Sequence, residues 1–188
     1  MKQLHNSKQI GIFLGKKVYY SGSIKGSTEI DPEFAWKIVQ YMSENGAKVL
    51  SEHVAARSKD EMNTLLLGNV GKEIQELLKG QEPWFGIRKQ DLDWVDEATH
   101  MVALINAPSH GVGIEIEHAI LKPKLGLNKT PILCLVHKDL FQKVSFMIKG
   151  ISVEESDIFY LKSYSDLESV KLLVKDFLLD KMEQNEER

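Results

Sequence analysis

The stretch Met101-Val102-Ala103-Leu104-Ile105, followed after Asn106-Ala107-Pro108 by Ser109-His110-Gly111-Val112-Gly113-Ile114-Glu115, decides how this chain folds. A short apolar run that breaks into a glycine-bearing turn and then a helical pattern reads as strand, loop and helix N-terminus. Open α/β sheets bind ligands at such strand ends. Gly111 and Gly113 let a ligand approach the backbone closely, and Glu115 falls in the first turn of the next helix. A carboxylate there reads either as a partner for the helix dipole or as a nucleophile facing a cleft.

Working outward, the same alternation recurs. Val18-Tyr19-Tyr20 is a short β-rich run ending in Ser21-Gly22-Ser23-Ile24-Lys25-Gly26-Ser27. A helix follows, with Asp31 as N-cap, Pro32 at the first helical position and Asn45-Gly46 as its stop. Phe34, Ile38, Tyr41 and Met42 share one face of it. Residues 47–50 form the next strand, ending in Ser51-Glu52-His53-Val54. The stretch 56–89 is less regular, with a short helix over 72–78 and a loop over 80–86. A helix over 91–98 precedes the strand 101–105. The helix after Glu115 runs to Leu121 and stops before Pro123. Residues 131–136 are a buried strand, 140–148 a helix and 158–161 a last strand. Ser165-x-x-Glu168 is a capping box opening a final helix with Val170, Val174, Phe177 and Leu178 on its apolar face. Strand and helix thus alternate about five times, which predicts helices on both faces of a parallel sheet. The expected fold class is α/β: a single-domain flavodoxin/Rossmann-like sandwich with a central, mostly parallel five-stranded sheet. Residues 1–16 read as an N-terminal extension, 17–182 as the domain and 183–188 as a polar tail.

Composition narrows the function classes. The chain has 188 residues, 43% of them hydrophobic and 27% charged, with a net charge of −3. That length buries a sizeable core. The slight acidity argues against a bulk nucleic-acid-binding surface, and no apolar run approaches the ~20 residues of a membrane span. Ile10-Gly11-Ile12-Phe13-Leu14 is too short for a secretory signal core. The only cysteine, Cys134, lies inside Ile132-Leu133-Cys134-Leu135-Val136, so a reduced, buried thiol and a cytoplasmic setting are expected (or a nuclear one, in a eukaryote).

Gly22-Ser23-Ile24-Lys25-Gly26 offers backbone N–H groups, a hydroxyl and a cation at a strand end, which suits an anion. It also reads as a flexible turn with a solvated lysine, and it is neither a Walker loop nor a G-x-G-x-x-G fingerprint. Asp91, read at the start of its helix, is a dipole partner or an acid. Glu115-x-x-His118 puts a carboxylate and an imidazole on one helical face, but di-iron bundles need two such pairs, so no metal or other cofactor is expected. His53, at a strand end, faces a cleft or solvent. Tyr19 and Tyr20 alternate, so one is core and the other reaches toward the strand ends. The G-x-S-x-G elbow of serine hydrolases is absent. Two carboxylates, an anion loop and a tyrosine suggest a retaining glycosyl-transfer site, in which one carboxylate attacks the sugar carbon.

Six segments in order, Val18–Gly26, Leu50–Ala55, Gln90–Trp94, Pro108–Glu115, Pro131–Leu135 and Ser145–Gly150, resemble the 2′-deoxynucleoside 5′-monophosphate N-glycosidase branch of the nucleoside deoxyribosyltransferase family, from about residue 18 to about 180. The resemblance implies Glu115 as the nucleophile at C1′, Asp91 as the acid assisting departure of the base, and Tyr19 as orienting the nucleophile and the sugar. It implies Ser23, Lys25 and Ser109 as phosphate ligands, within a substrate pocket that also takes in Gly22, Ile24, Gly26, Gly111, Gly113 and Met147. Ser145 matches a serine supplied by the second subunit of a homodimer, and His53 one lining the substrate pocket. A deoxyribose lacks the electron-withdrawing 2′-hydroxyl, so an oxocarbenium-like transition state is easier to reach.

The chain departs from the family pattern in places. Lys25 stands where arginine is usual, giving a point charge in place of a bidentate fork. Ile114 replaces an aromatic residue, and Ile116-Glu117 a smaller pair. Glu117, two positions from Glu115, points away from it. The stretch between Val54 and Asp91 is longer than usual, and its Pro83-Trp84-Phe85 is expected to pack on the sheet, with a cover over the base as the other reading. The expected partner is a small molecule, a deoxynucleoside 5′-monophosphate hydrolysed to base and 2-deoxyribose 5-phosphate. Base exchange between nucleosides, ribonucleotide hydrolysis and a silent nucleotide-binding module are the alternatives.

Overall fold

The computed structural model describes residues 11–23, 33–80 and 82–183. Five strands form one sheet: β1 (Lys17–Gly22), β2 (Lys48–Val49), β3 (His100–Leu104), β4 (Ile132–His137) and β5 (Phe159–Tyr164). Their order is β2-β1-β3-β4-β5, and every neighbouring pair is parallel. All five residues of β3 are buried, as expected of a central strand covered on both faces. The expected α/β architecture is therefore present.

Helices cover both faces. On one, α1 (Phe34–Glu44) and α7 (Leu167–Leu178) bury Ile38, Met42, Val174 and Phe177 against Tyr20, Val102 and Leu133. On the other, α4 (Trp84–Glu97) and α5 (His110–Leu121) bury Trp94, Val95, Ile116 and Ala119 against Tyr19, Met101 and Ile132. Cutting Ile116 to alanine in this packing costs about 2–5 kcal/mol. Tyr20 is thus core on the α1/α7 face, and Tyr19, also buried, lies on the opposite face with its hydroxyl near Glu115 and Asp91.

The chain leaves β1 first for β2 on one side and later for β3 on the other. The carboxyl ends of β1 and β3 thus flank a topological switch point, where open sheets hold ligands. Ser51 closes this region from the β2 side: its hydroxyl donates to the Tyr20 carbonyl (2.6 Å) and accepts from the Tyr20 N–H (2.9 Å).

Several boundaries differ from the sequence reading. Phe13, inside the stretch read as an extension, is fully buried, and Gly11 lies so close to the Asn45 carbonyl (2.5 Å from an ideal Cβ) that no side chain fits. An additional helix, α2 (Lys59–Asn69), has no fully buried residue and meets the core only through half-buried Leu66, and α3 (Lys72–Lys79) follows it. The loop expected over 80–86 gives way at Trp84 to α4, with Gly86 backed tightly by Leu77 of α3. In place of one helix over 140–148 there is a 3-10 segment (Lys138–Lys143) and a short α6 (Phe146–Lys149), because Val144 is extended and Ser145 caps a fresh start. The last capping box is Asp166 with Ser169, one residue on from the expected pair. Asp31 and Pro32 lie outside the described residues. No described helix is long and apolar enough to cross a membrane.

Candidate active site

Glu115 stands on the anticipated helix α5, but in its second turn and not its first, because the helix already starts at His110 after the Ser109 cap. Ser109 is its N-cap, the hydroxyl accepting from the Val112 N–H at 3.4 Å. An ideal Cβ on Gly111 would lie 3.8 Å from both the Glu115 carboxylate and the Ser109 hydroxyl. The bare glycine therefore leaves a corner that both groups share.

Ser21, near the end of β1, donates a short hydrogen bond to Glu115 Oε2. Tyr19, two residues earlier on the same strand face, buries its hydroxyl with no hydrogen bond of ordinary geometry. That hydroxyl is near enough to Glu115 and Asp91 for their charges to push the phenol well above its usual pKa, with burial as the larger cause. It is a donor held ready beside the carboxylates.

Asp91 sits in the middle of α4, not at its start, so it is no partner for the N-terminal dipole. Burial, and then the nearby Glu115 charge, raise its carboxyl to about 7. Glu115 is also raised by burial, but the Ser21 hydrogen bond and the nearby Tyr19 hydroxyl oppose that by favouring its ionised form. Asp91 thus keeps its proton up to about neutrality, while hydrogen bonding restrains the rise at Glu115. Environments that push two titratable groups apart mark an acid and a nucleophile or base.

His53 lies buried in the 3-10 turn Glu52–Ala55, 5.4 Å from the Trp94 ring, with Nδ1 unpartnered. Burial lowers its pKa to about 4, so it is neutral. His118, sharing a face with Glu115, pairs with Asp96 at 2.8 Å.

A groove of about 960 Å³ opens on the other side of the α5 N-terminus, lined by Ser109, Gly113, Ile114, Glu117, Ser145 and Met147 among others. Ser109 borders both this groove and the carboxylate corner, whereas Ser145 and Met147 lie only on the groove side. Gly22, the last residue of β1, and Ser23 just after it are half-buried. Ile24, Lys25 and Gly26 lie outside the described residues.

No family model matches the chain. A Tetraodon nigroviridis protein named 5-hydroxymethyl-dUMP N-hydrolase is 30% identical over 162 residues, covering 86% of this chain and 96% of that protein. A Trichoplax adhaerens protein with the family name 2′-deoxynucleoside 5′-phosphate N-hydrolase is 33% identical over 135 residues, covering 72% of this chain and 76% of that one. The chain belongs to the 2′-deoxynucleoside 5′-phosphate N-hydrolase family. The fold is shared with the Clostridium botulinum CMP N-glycosidase, at a TM-score of 0.51 and 15% identity over 85% of this chain and 97% of that one.

Within this N-hydrolase, two residues were not anticipated from the sequence. Ser21 is one, and the period of two along β1 could have found it, since it shares a strand face with Tyr19. Trp94, packed against His53, is the other. Trp84 and Phe85 do not pack on the sheet as expected: they stand 57% and 60% exposed on the first turn of α4.

Proposed function

We propose that this chain hydrolyses the N-glycosidic bond of 2′-deoxynucleoside 5′-monophosphates, giving free base and 2-deoxyribose 5-phosphate. The observation that carries the reading is the pairing of Asp91, raised to about 7, with a Glu115 that Ser21 and Tyr19 hold toward ionisation. The relatives named as hydrolases of such nucleotides support the substrate class.

In this reading Glu115 Oε attacks C1′ as the C1′–N bond breaks, and Asp91 gives its proton to the departing base. The glycosyl ester on Glu115 is then opened by water, whose proton goes to Asp91, restoring both groups. Tyr19 donates to Glu115 and holds it against the sugar. Ser109 and the α5 N-terminus take the 5′-phosphate, with Ser23 and Lys25 from the loop after β1. Gly22, Ile24, Gly26, Gly111 and Gly113 would shape that pocket, and His53 its base side.

Ser145 would complete the phosphate site from the partner subunit of a homodimer. Phe146 and Met147 beside it are 86% and 83% exposed, an apolar edge suited to burial against a second copy. A cytoplasmic location agrees with the single buried cysteine.

The test is to incubate the protein with each deoxynucleoside monophosphate, its nucleoside and its ribonucleotide, with and without an acceptor base, and to measure released base. Release from deoxynucleoside monophosphates without an acceptor is the expected result. Release that needs an acceptor points to base exchange, and none from any substrate overturns the enzyme reading.

A further inference from the structure

Lys122, fully buried, ends α5. Its ammonium donates to the carbonyls of Val95 (2.8 Å), Asp96 (2.9 Å) and Ala98 (3.4 Å) and to Thr130 Oγ1 (2.6 Å). The three carbonyls belong to the last turn and cap of α4, where helical geometry leaves carbonyls without N–H partners. A cation there also meets the negative end of the helix dipole. Thr130 reinforces the arrangement by donating to the Ala98 carbonyl at 3.0 Å. One turn earlier on α5, His118 reaches Asp96 at 2.8 Å.

The two helices clasped in this way are the ones that carry Asp91 and Glu115. Lys122 lies seven residues beyond Glu115, and Ala98 seven beyond Asp91, which is about 10 Å along each axis. The clasp and the carboxylate pair therefore sit at matching heights on two neighbouring helices. A methionine would occupy similar volume without desolvating a charge, so what the ammonium adds is its hold on the α4 carbonyls.

We propose that Lys122 is a positioning residue: by fixing the last turn of α4 to the end of α5, it sets the approach of Asp91 to Glu115. This rests on the hydrolytic reading of that pair. Among the described residues, the ionisable groups facing Asp91 are Glu115 from α5 and Tyr19 from β1, while neutral His53 packs on Trp94 of α4 itself. Loosening the clasp lets the helices part, so Asp91 feels less of the Glu115 charge and gains solvent.

The experiment is Lys122→Met, read by carbon-13 NMR titration of the Asp91 carboxyl and by the pH profile of base release well below the melting temperature. The Asp91 midpoint is expected to fall by about one pH unit, and kcat above neutrality to fall roughly tenfold with KM little changed. A folded variant whose midpoint and kcat match the wild type overturns the proposal, since a merely structural lysine would lower only the melting temperature. If Lys122→Met does not fold, Thr130→Val carries the test: a smaller shift in the same direction supports it, and an unmoved midpoint overturns it. Wild-type protein that releases no base would refute the hydrolytic reading, while the Asp91 titration still tests the clasp.

Discussion

Ser21→Ala tests the electrostatics of the site at its least anticipated point. Ser21 is buried and donates to Glu115 Oε2. Alanine removes that one oxygen and opens almost no cavity. A hydrogen bond to a charged group is worth about 1.5–3 kcal/mol, and one pKa unit corresponds to about 1.4 kcal/mol. The bond stabilises the ionised carboxylate, so its loss raises the Glu115 pKa, by about 1–2 units on that arithmetic. The assay is kcat/KM for base release from pH 4.5 to 9. The acid limb, where the nucleophile must ionise, is expected to move up by about 1–2 pH units, with rates below it falling about 10- to 100-fold. The basic limb belongs to the coupled pair and should move much less, so the bell narrows from its acid side. An acid limb that stays in place, or moves down, would refute the claim that Ser21 supports an ionised Glu115.

Glu115→Gln is expected to abolish base release while 2-deoxyribose 5-phosphate still binds by calorimetry; substantial turnover would remove Glu115 as nucleophile. Asp91→Asn should stabilise the fold at alkaline pH, by about 2–4 kcal/mol above pH 7. The sign follows from the raised pKa: protonated Asp91 favours the fold fully below about pH 4, and that contribution is lost as pH climbs through about 7. Melting curves of the variant and wild type should therefore agree near pH 4 and diverge upward; equal melting temperatures at pH 8 would count against the shift. Replacing Phe146 and Met147 together by glutamate should convert a dimer to a monomer in sedimentation and weaken monophosphate binding. An unchanged mass would separate Ser145 from any partner's site.

The strand–turn–helix at β3 and α5 was legible because each part has its own chemistry: a wholly apolar run, a turn, and glycines where the helix begins. The parallel sheet followed from its repetition. Of the stretch before Asp91 only α3 was legible, because α2 and α4 carry little periodic apolar signal. Buried residues are absent from α2, and Gly80 and Gly86 look like loop punctuation, whereas Gly86 is where Leu77 of α3 packs on the α4 backbone. Moving the α4 start back to Trp84 is what took Asp91 away from the helix N-terminus and its dipole. Ser21 was hidden for a different reason. It stood in a run of small polar residues that reads as a turn, yet it is still paired strand with its side chain on the Tyr19 face. Lys122 gives no sequence signal at all, since a lysine before Pro123 reads as a solvated helix end; only the fold brings the carbonyls of α4 around it.

The most direct test of the account is the stereochemistry of the reaction. A 2′-deoxynucleoside 5′-monophosphate is incubated with the protein in water–methanol, and the sugar products are followed by proton NMR. Attack by Glu115 and then by solvent means two inversions at C1′, so the account expects free base and a methyl 2-deoxyriboside 5-phosphate that keeps the β configuration. An α-configured methyl glycoside, or no release of base, would contradict it.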